Sequence, residues 1–256
     1  MLTAATAEAG RITVGFMSNT DTAPAEVTCA TSAFTGVLHA REVPLGGPRA
    51  LLVRRTLPQR ERSLIGAWCF ADHYGPHDVR ASGRGMDVPP HPHTGLQTVS
   101  WLFAGEIEHR DSAGVHAMVR PGELNLEAGA VLTLDVDPAY EHGVLLDQGI
   151  VHVGDTPLEV ADLAYQAPGH QLLHLANPAD SPARVVLLGG PPFPEELVMW
   201  WNFVGRSHDD IAMYRELWQD NDARFGDVSG YRGNTARLPA PPLPNGRLKP
   251  RPRPSN

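Results

Sequence analysis

Cysteine is nearly absent: Cys29 and Cys69 are the only two in 256 residues. Two thiols make neither a disulfide framework nor a Cys-based zinc site. No apolar run approaches the ~18 residues that a membrane helix needs. The opening MLTAATAEAGRITVGF has one basic residue, Arg11, and no continuous apolar stretch, which makes a poor secretion signal. A basic excess is missing too. Lys and Arg number 21 against 29 Asp and Glu, a formal net charge of −8, which argues against a direct nucleic-acid partner. There is no G-x-S-x-G elbow, no P-loop and no G-x-G-x-x-G after a strand. These absences predict a cytoplasmic protein that touches neither membrane nor nucleic acid.

Turn chemistry is plentiful instead, with 25 glycines and 24 prolines. Together with short Val-rich segments every eight to twelve residues, this predicts an all-β sandwich or barrel. Strands are expected at Arg49–Leu57, Gly66–Phe70, Gln97–Phe103, Glu106–Arg110, Val115–Arg120, Glu123–Leu126 and Val131–Val136. More follow at Gly143–Asp147, Ile150–Val153, Leu163–Gln166, Gln171–Leu175 and Arg184–Leu188. A long loop spans Asp72–Pro90. The run WLFAGEIEH…RPGELNLEAG, from Trp101, echoes LLDQGIVHV…EVADLAYQAPG, from Leu145, which suggests a duplicated jelly roll.

Residues 1–33 are rich in Ala and Thr and read as a mobile arm, with Met17 as an alternative start. After Gly189–Gly190 the period changes. Two C-terminal helices are expected, Glu195–Val204 and His208–Asp220, the second capped by Ser207. The tail, 238–256, is Pro-rich and basic and should be extended, without a core.

The sharpest chemical feature is His91-Pro92-His93. On an extended segment, positions i and i+2 face the same side, so the imidazoles could bind one Fe, Ni, Zn or Cu ion in adjacent positions. The same spacing also suits a solvent-exposed Pro-rich loop.

The stretches REVPLGGPRALLVRRTLPQRERSLIGAWCFADHYGP, MDVPPHPHTGLQTVSWLFAGEIEHRDSAG and RPGELNL resemble the pirin family of bicupins. So do EHGVLLDQG, LAYQAPG and SPARVVLLGGPPFPEELVMWWNFVGRSHDDI. The resemblance implies two stacked cupin barrels (double-stranded β-helix, jelly-roll), the first holding iron or another divalent transition metal on three His and one Glu. It also implies one of two roles: quercetin 2,3-dioxygenase activity on a flavonol, or non-enzymatic binding of a transcription factor or metabolic enzyme.

His91 and His93 match the family's first two ligands. The other two belong to a G-x-G-I-x-H-[SA]-E segment that has no match here. After Pro121-Gly122-Glu123-Leu124 the chain reads Asn125–Gly129 and then like the start of the second barrel. The expected organisation is therefore a shortened pirin-like cupin: an incomplete first domain over 34–129, a second cupin domain with its terminal helices over 130–237, and the tail. The expected metal site is incomplete, its dioxygenase activity weak or absent, and the exposed edges of a truncated barrel should favour a homodimer. Asp135 and Asp137 are the first substitutes to consider as ligands, against their plainer role at a solvated strand end. His109 reads as a locally bonded strand residue, and His142 and His152 as structural or exposed.

Overall fold

The structure, a computed structural model, describes residues 2–5, 11–13, 36–45, 51–75, 87–96, 98–119 and 125–250. It is a β-protein. The second half is a two-sheet sandwich. One sheet has the order β10-β17-β12-β15-β3, built from Asn125–Leu126, Ala183–Gly190, Glu141–Gln148, Leu163–Gln166 and Gly36–Leu38. The facing sheet has the order β11-β16-β13-β14, built from Val131–Asp135, Leu172–Ala176, Val151–Val153 and Thr156–Leu158.

Alternation decides which residues enter which core. On β16, Leu173 and Leu175 are buried while Leu172 and His174 are exposed. The central strand β12 is buried on both faces over Glu141–Asp147. Its Val144 and Leu146 pack into the sandwich with Leu173, Leu175 and Val185. Leu145 points the other way, to Leu57, Ile65, Ala71 and Phe103 of the first half. Gly143 lets the side chains of both halves close in there: a Cβ would stand 2.9 Å from Ile65 Cδ1 and from Leu188 Cδ1, which would have to shift.

The first half holds a sheet of order β4-β5-β6-β1-β7: Arg41–Leu45, Leu51–Leu57, Ala71–Tyr74, Leu2–Ala5 and Val99–Leu102. A smaller sheet, β2-β8-β9, comprises Arg11–Thr13, Glu106–Arg110 and His116–Val119. The internal echo is real in structure. The chain crosses from one sheet to its partner sheet at Gly105 between β7 and β8, and again at Gly149 between β12 and β13, both with positive φ. The echo then breaks. β15 pairs with β12, but β10 pairs with β17 of the second half rather than with β7.

Buried polar groups tie the halves together. Glu141 accepts from Arg62 Nη1 at 3.1 Å, Gly66 N at 2.6 Å and Tyr165 Oη at 3.0 Å. At the far end of the same strand Asp147 pairs with His73 Nε2 and accepts from Arg184 Nε at 2.6 Å. Within the first half, Arg55 holds Asp72 by two bonds, 2.6 and 2.7 Å, wholly buried.

Several expectations need correction. Glu195–Val204 is a β-hairpin, β18 (Val198–Trp200) with β19 (Phe203–Gly205), not a helix. Every residue of both strands is buried, so there is no polar face for a surface helix to present, and Trp201 takes φ 50° at the turn. The helix α1, His208–Gln219, forms with Ser207 and Asp210 in a capping box. It is the one α-helix among the described residues; a 3-10 turn follows at Ala223–Phe225. The strand expected at Gly66–Phe70 falls instead at Ala71–Tyr74, because Ile65 and Trp68 close a tight turn.

The tail forms neither helix nor strand through residue 250 and bends at Asn245–Gly246, but it does carry core. Leu238, Ala240 and Leu248 are buried with Trp200, Trp201, Phe203 and Trp218. Within the expected mobile arm, residues 2–5 and 11–13 are strands. β1 runs parallel to β6 and β7 and fills the place between them. Two facing ladder edges one strand apart leave backbone donors and acceptors that a further strand satisfies. The rest of the arm with Met17, the turn at 121–123 and residues 251–256 lie outside the described residues. No helix among the described residues is long and apolar enough to cross a membrane.

Candidate metal centre

His91 and His93 stand on the segment 87–96, which reaches β7. Pro89, Pro90 and Pro92 have no N–H to donate, so this stretch cannot enter a ladder as an ordinary central strand. It is held by its carbonyls instead. Leu238 N donates to Pro90 O at 2.8 Å and Val204 N to Thr94 O at 3.2 Å. Gly95 follows with φ +63°, and a Cβ there would meet Val204 O at 2.8 Å, so only glycine lets β19 lie so close.

The two imidazoles are adjacent, with ring centroids 5.1 Å apart and planes at 62°. His91 Nδ1 lies 2.6 Å from Pro89 O. A carbonyl only accepts, so Nδ1 carries the proton and Nε2 the lone pair. His93 Nδ1 is 3.3 Å from Thr98 Oγ1. A ligating histidine typically has one ring nitrogen fixed by a backbone or hydroxyl partner, and each of these rings has such a partner at Nδ1. Burial pulls the His91 imidazolium down to about 4, against the opposing bond to Pro89. His93 is lowered well below its usual range by burial and then by His91. Both rings are therefore neutral at pH 7, as metal ligation requires.

These shifts set an acid limit on the metal-free protein. An imidazole whose folded pKa lies below the ordinary value near 6.5 binds protons more readily unfolded. Its contribution is thus complete above about pH 6.5, declines as pH falls, and is fully lost near pH 4. For His91 the full loss over about 2.5 units is about 3–4 kcal/mol, from about 1.4 kcal/mol per unit, of which about 2–3 kcal/mol is reached by pH 4.5. Urea titrations at pH 7.5, 5.5 and 4.5 should show wild type losing that much more stability than His91→Gln. Parallel pH profiles for the two would contradict the burial of a neutral ring.

As a donor set, the pair fits a divalent metal only in part. Among the described residues no group of three or more His, Cys, Asp or Glu is placed to hold an ion. Asp135 ends β11, paired with Leu172 in the second half's outer sheet, and Asp137 Oδ1 accepts from Ala139 N in the turn that follows. His109 Nε2 lies 3.3 Å from Asp111 Oδ2, a local bond. His142 is buried, its ring stacked on Tyr140. His152 sits on β13, opposite Pro157 and Ala176. Among the described residues this donor set does not make a closed centre of four protein ligands.

Sequence reading missed the supports of the pair: Thr98, the carbonyl of Pro89, and the C-terminal chain that clasps Pro90. Backbone donors leave no compositional trace. The density of proline in VPPHPH does leave one, since a stretch lacking N–H groups must be held by its carbonyls.

The comparisons agree with this architecture. The family model for pirin matches residues 50–132, and the model for the pirin C-terminal cupin domain matches residues 122–226. The two overlap over the residues where the chain passes from β9 into the second half. A Pseudomonas aeruginosa protein provisionally named a quercetin 2,3-dioxygenase is 34% identical, over 80% of this chain and 89% of its own length. That alignment runs for 288 residues, longer than the whole of this 256-residue chain, so part of the relative has no counterpart here. A pirin-like protein of Caulobacter vibrioides is 39% identical over 43% of this chain and 39% of its own. The crystal structure of a quercetin 2,3-dioxygenase from Acinetobacter baumannii superposes with a TM-score of 0.71 at 26% identity, covering 84% of this chain and 98% of the other. Sequence and fold together place the chain in the pirin family of cupins.

Proposed function

We propose that this chain is a metal-binding pirin cupin that keeps the first half of the family's metal site, His91 and His93, and oxidises flavonols slowly or not at all. The observation that carries the reading is the pairing of β10 with β17, Asn125 opposite Arg184 and Leu126 opposite Ala183. Six residues after β9 the chain is already a strand of the second half, leaving no length for the segment that carries the family's last two ligands.

The chemistry follows from the donor count. A redox metal in such a site must bind O₂ and a chelating flavonol together while the protein keeps hold of it. Two imidazoles leave most of the coordination sphere to water and substrate, so the substrate can draw the ion away. The chain's own contribution is to keep both rings neutral and adjacent and His91 in one tautomer.

Quercetin consumption and O₂ uptake, measured with added Fe(II), Ni(II), Cu(II) and Mn(II), test this. Rates should stay within a few-fold of each metal alone. Metal-dependent turnover orders of magnitude above that background, abolished by His91→Ala, would overturn the reading. A second reading, a non-enzymatic regulator that binds a protein partner, draws support from β11. Among the described residues this strand ends its sheet with Val131 79% exposed, an edge suited to pairing.

A further inference from the structure

We propose that the C-terminal chain from Tyr231 to Pro241 is a brace that positions His91, with Trp218, Tyr231 and Leu238 as its positioning residues. The proposal rests on the reading of His91 and His93 as metal-binding imidazoles, though the brace itself can be tested without metal.

On one face of α1, Arg215, Trp218 and Gln219 stand at i, i+3 and i+4. The side chain of each bonds the main chain of the brace. Trp218 Nε1 donates to Leu238 O at 2.8 Å, Arg215 Nε to Pro241 O at 2.6 Å, and Ala240 N to Gln219 Oε1 at 2.8 Å. The guanidinium of Arg237 lies 3.4 Å over the Trp218 ring, and Leu238 and Ala240 are buried against the aromatic cluster.

Leu238 is the hinge pin of this arrangement. Its carbonyl is taken by the indole, and its N–H goes to Pro90 O at 2.8 Å. Upstream, Tyr231 Oη donates to Asp87 Oδ1 at 2.9 Å. The brace therefore grips the segment 87–90 at both ends. Pro89 O, inside that grip, accepts the His91 Nδ1 proton. A stretch with prolines at 89, 90 and 92 has few donors of its own, so its path must be set by donors from elsewhere in the chain. The C-terminal chain, more than a hundred residues away in sequence, supplies them. Fixing the Pro89 carbonyl fixes the tautomer and aim of the ring; loss of such outer support typically costs metal affinity tenfold or more.

The test uses full-length protein carrying Trp218→Phe and Tyr231→Phe together. Tyr231→Phe loses only the phenol O–H, whereas Trp218→Phe loses the indole N–H together with part of a buried ring, so the Tyr231→Phe single variant is measured beside the double variant to separate the lost bond from lost packing. Circular dichroism and thermal melting confirm folding. Arg247→Ala, which removes an exposed pair with Asp209, serves as a control expected to match wild type in every readout. Hydrogen exchange over residues 87–96 should rise about tenfold in the double variant, with α1 unchanged. Cu(II) affinity should fall about tenfold, with an altered Cu(II) EPR spectrum. Exchange confined to 231–241, or faster exchange at 87–96 with Cu(II) affinity and spectrum unchanged, would overturn the proposal. If wild type binds no Cu(II), the reading of the histidine pair fails, and exchange over 87–96 alone decides the brace.

Discussion

Glu141→Ala is expected to lower the unfolding free energy by about 3–5 kcal/mol, the range for breaking a buried charge pair by removing one partner. The carboxylate receives a guanidinium, a phenol and a backbone N–H at once, and the side chains of Arg62 and Glu141 are 5% and 2% exposed. Removing it takes the carboxylate from a buried guanidinium that lies 3.9 Å from the centre of the Tyr165 ring. Three donors lose their acceptor in a place that water reaches poorly. Because Arg62 and Gly66 come from the first half and Glu141 from the start of β12, the two halves should loosen together. Equilibrium denaturation of Glu141→Ala beside Glu195→Ala measures this. Glu195 pairs with Arg206 on the open surface, and its loss should be near neutral. Equal, small effects for both variants would mean that the halves are joined by apolar packing alone.

Much of the β-framework was legible because it obeys the period-two rule. Glu106–Arg110 and Leu163–Gln166 have the expected bounds, and the repeat around Gly105 and Gly149 marked the crossing between sheets. The hairpin β18–β19 was not legible. Leu197, Val198, Trp200, Trp201 and Phe203 can be arranged on a helical face, and pattern cannot tell a short buried hairpin from a buried helix. The tail misled for a different reason. Proline and basic residues signal an unpacked strap, but Leu238 and Leu248 sit where the aromatic cluster needs covering, and this is visible only in three dimensions.

At the candidate site the sequence located His91 and His93, because two imidazoles at i and i+2 on an extended stretch must share a side. It could not show that Pro89 O sets the tautomer or that Leu238 clasps Pro90, since both contacts are main-chain. Nor could composition show that Glu141 and Asp147 are buried bridges between the halves. Carboxylates at the two ends of an apolar strand look like solvated strand ends.

The second large effect concerns the metal. Two neutral imidazoles, with no third His, Cys, Asp or Glu placed with them among the described residues, should favour Cu(II) or Ni(II) over Fe(II), following the usual affinity order of divalent ions, and should exchange them readily. His91→Ala with His93→Ala should abolish that binding while leaving the fold intact, since both changes remove polar rings from a segment held by its backbone. Iron, which the family's complete site retains on four ligands, should not survive purification here. The decisive measurement is metal content per chain in purified wild type and in the His91→Ala, His93→Ala double variant. The half-site account predicts far less than one iron per chain in both, with added Cu(II) bound weakly by wild type alone. One tightly held iron per wild-type chain, gone in the double variant, would contradict it.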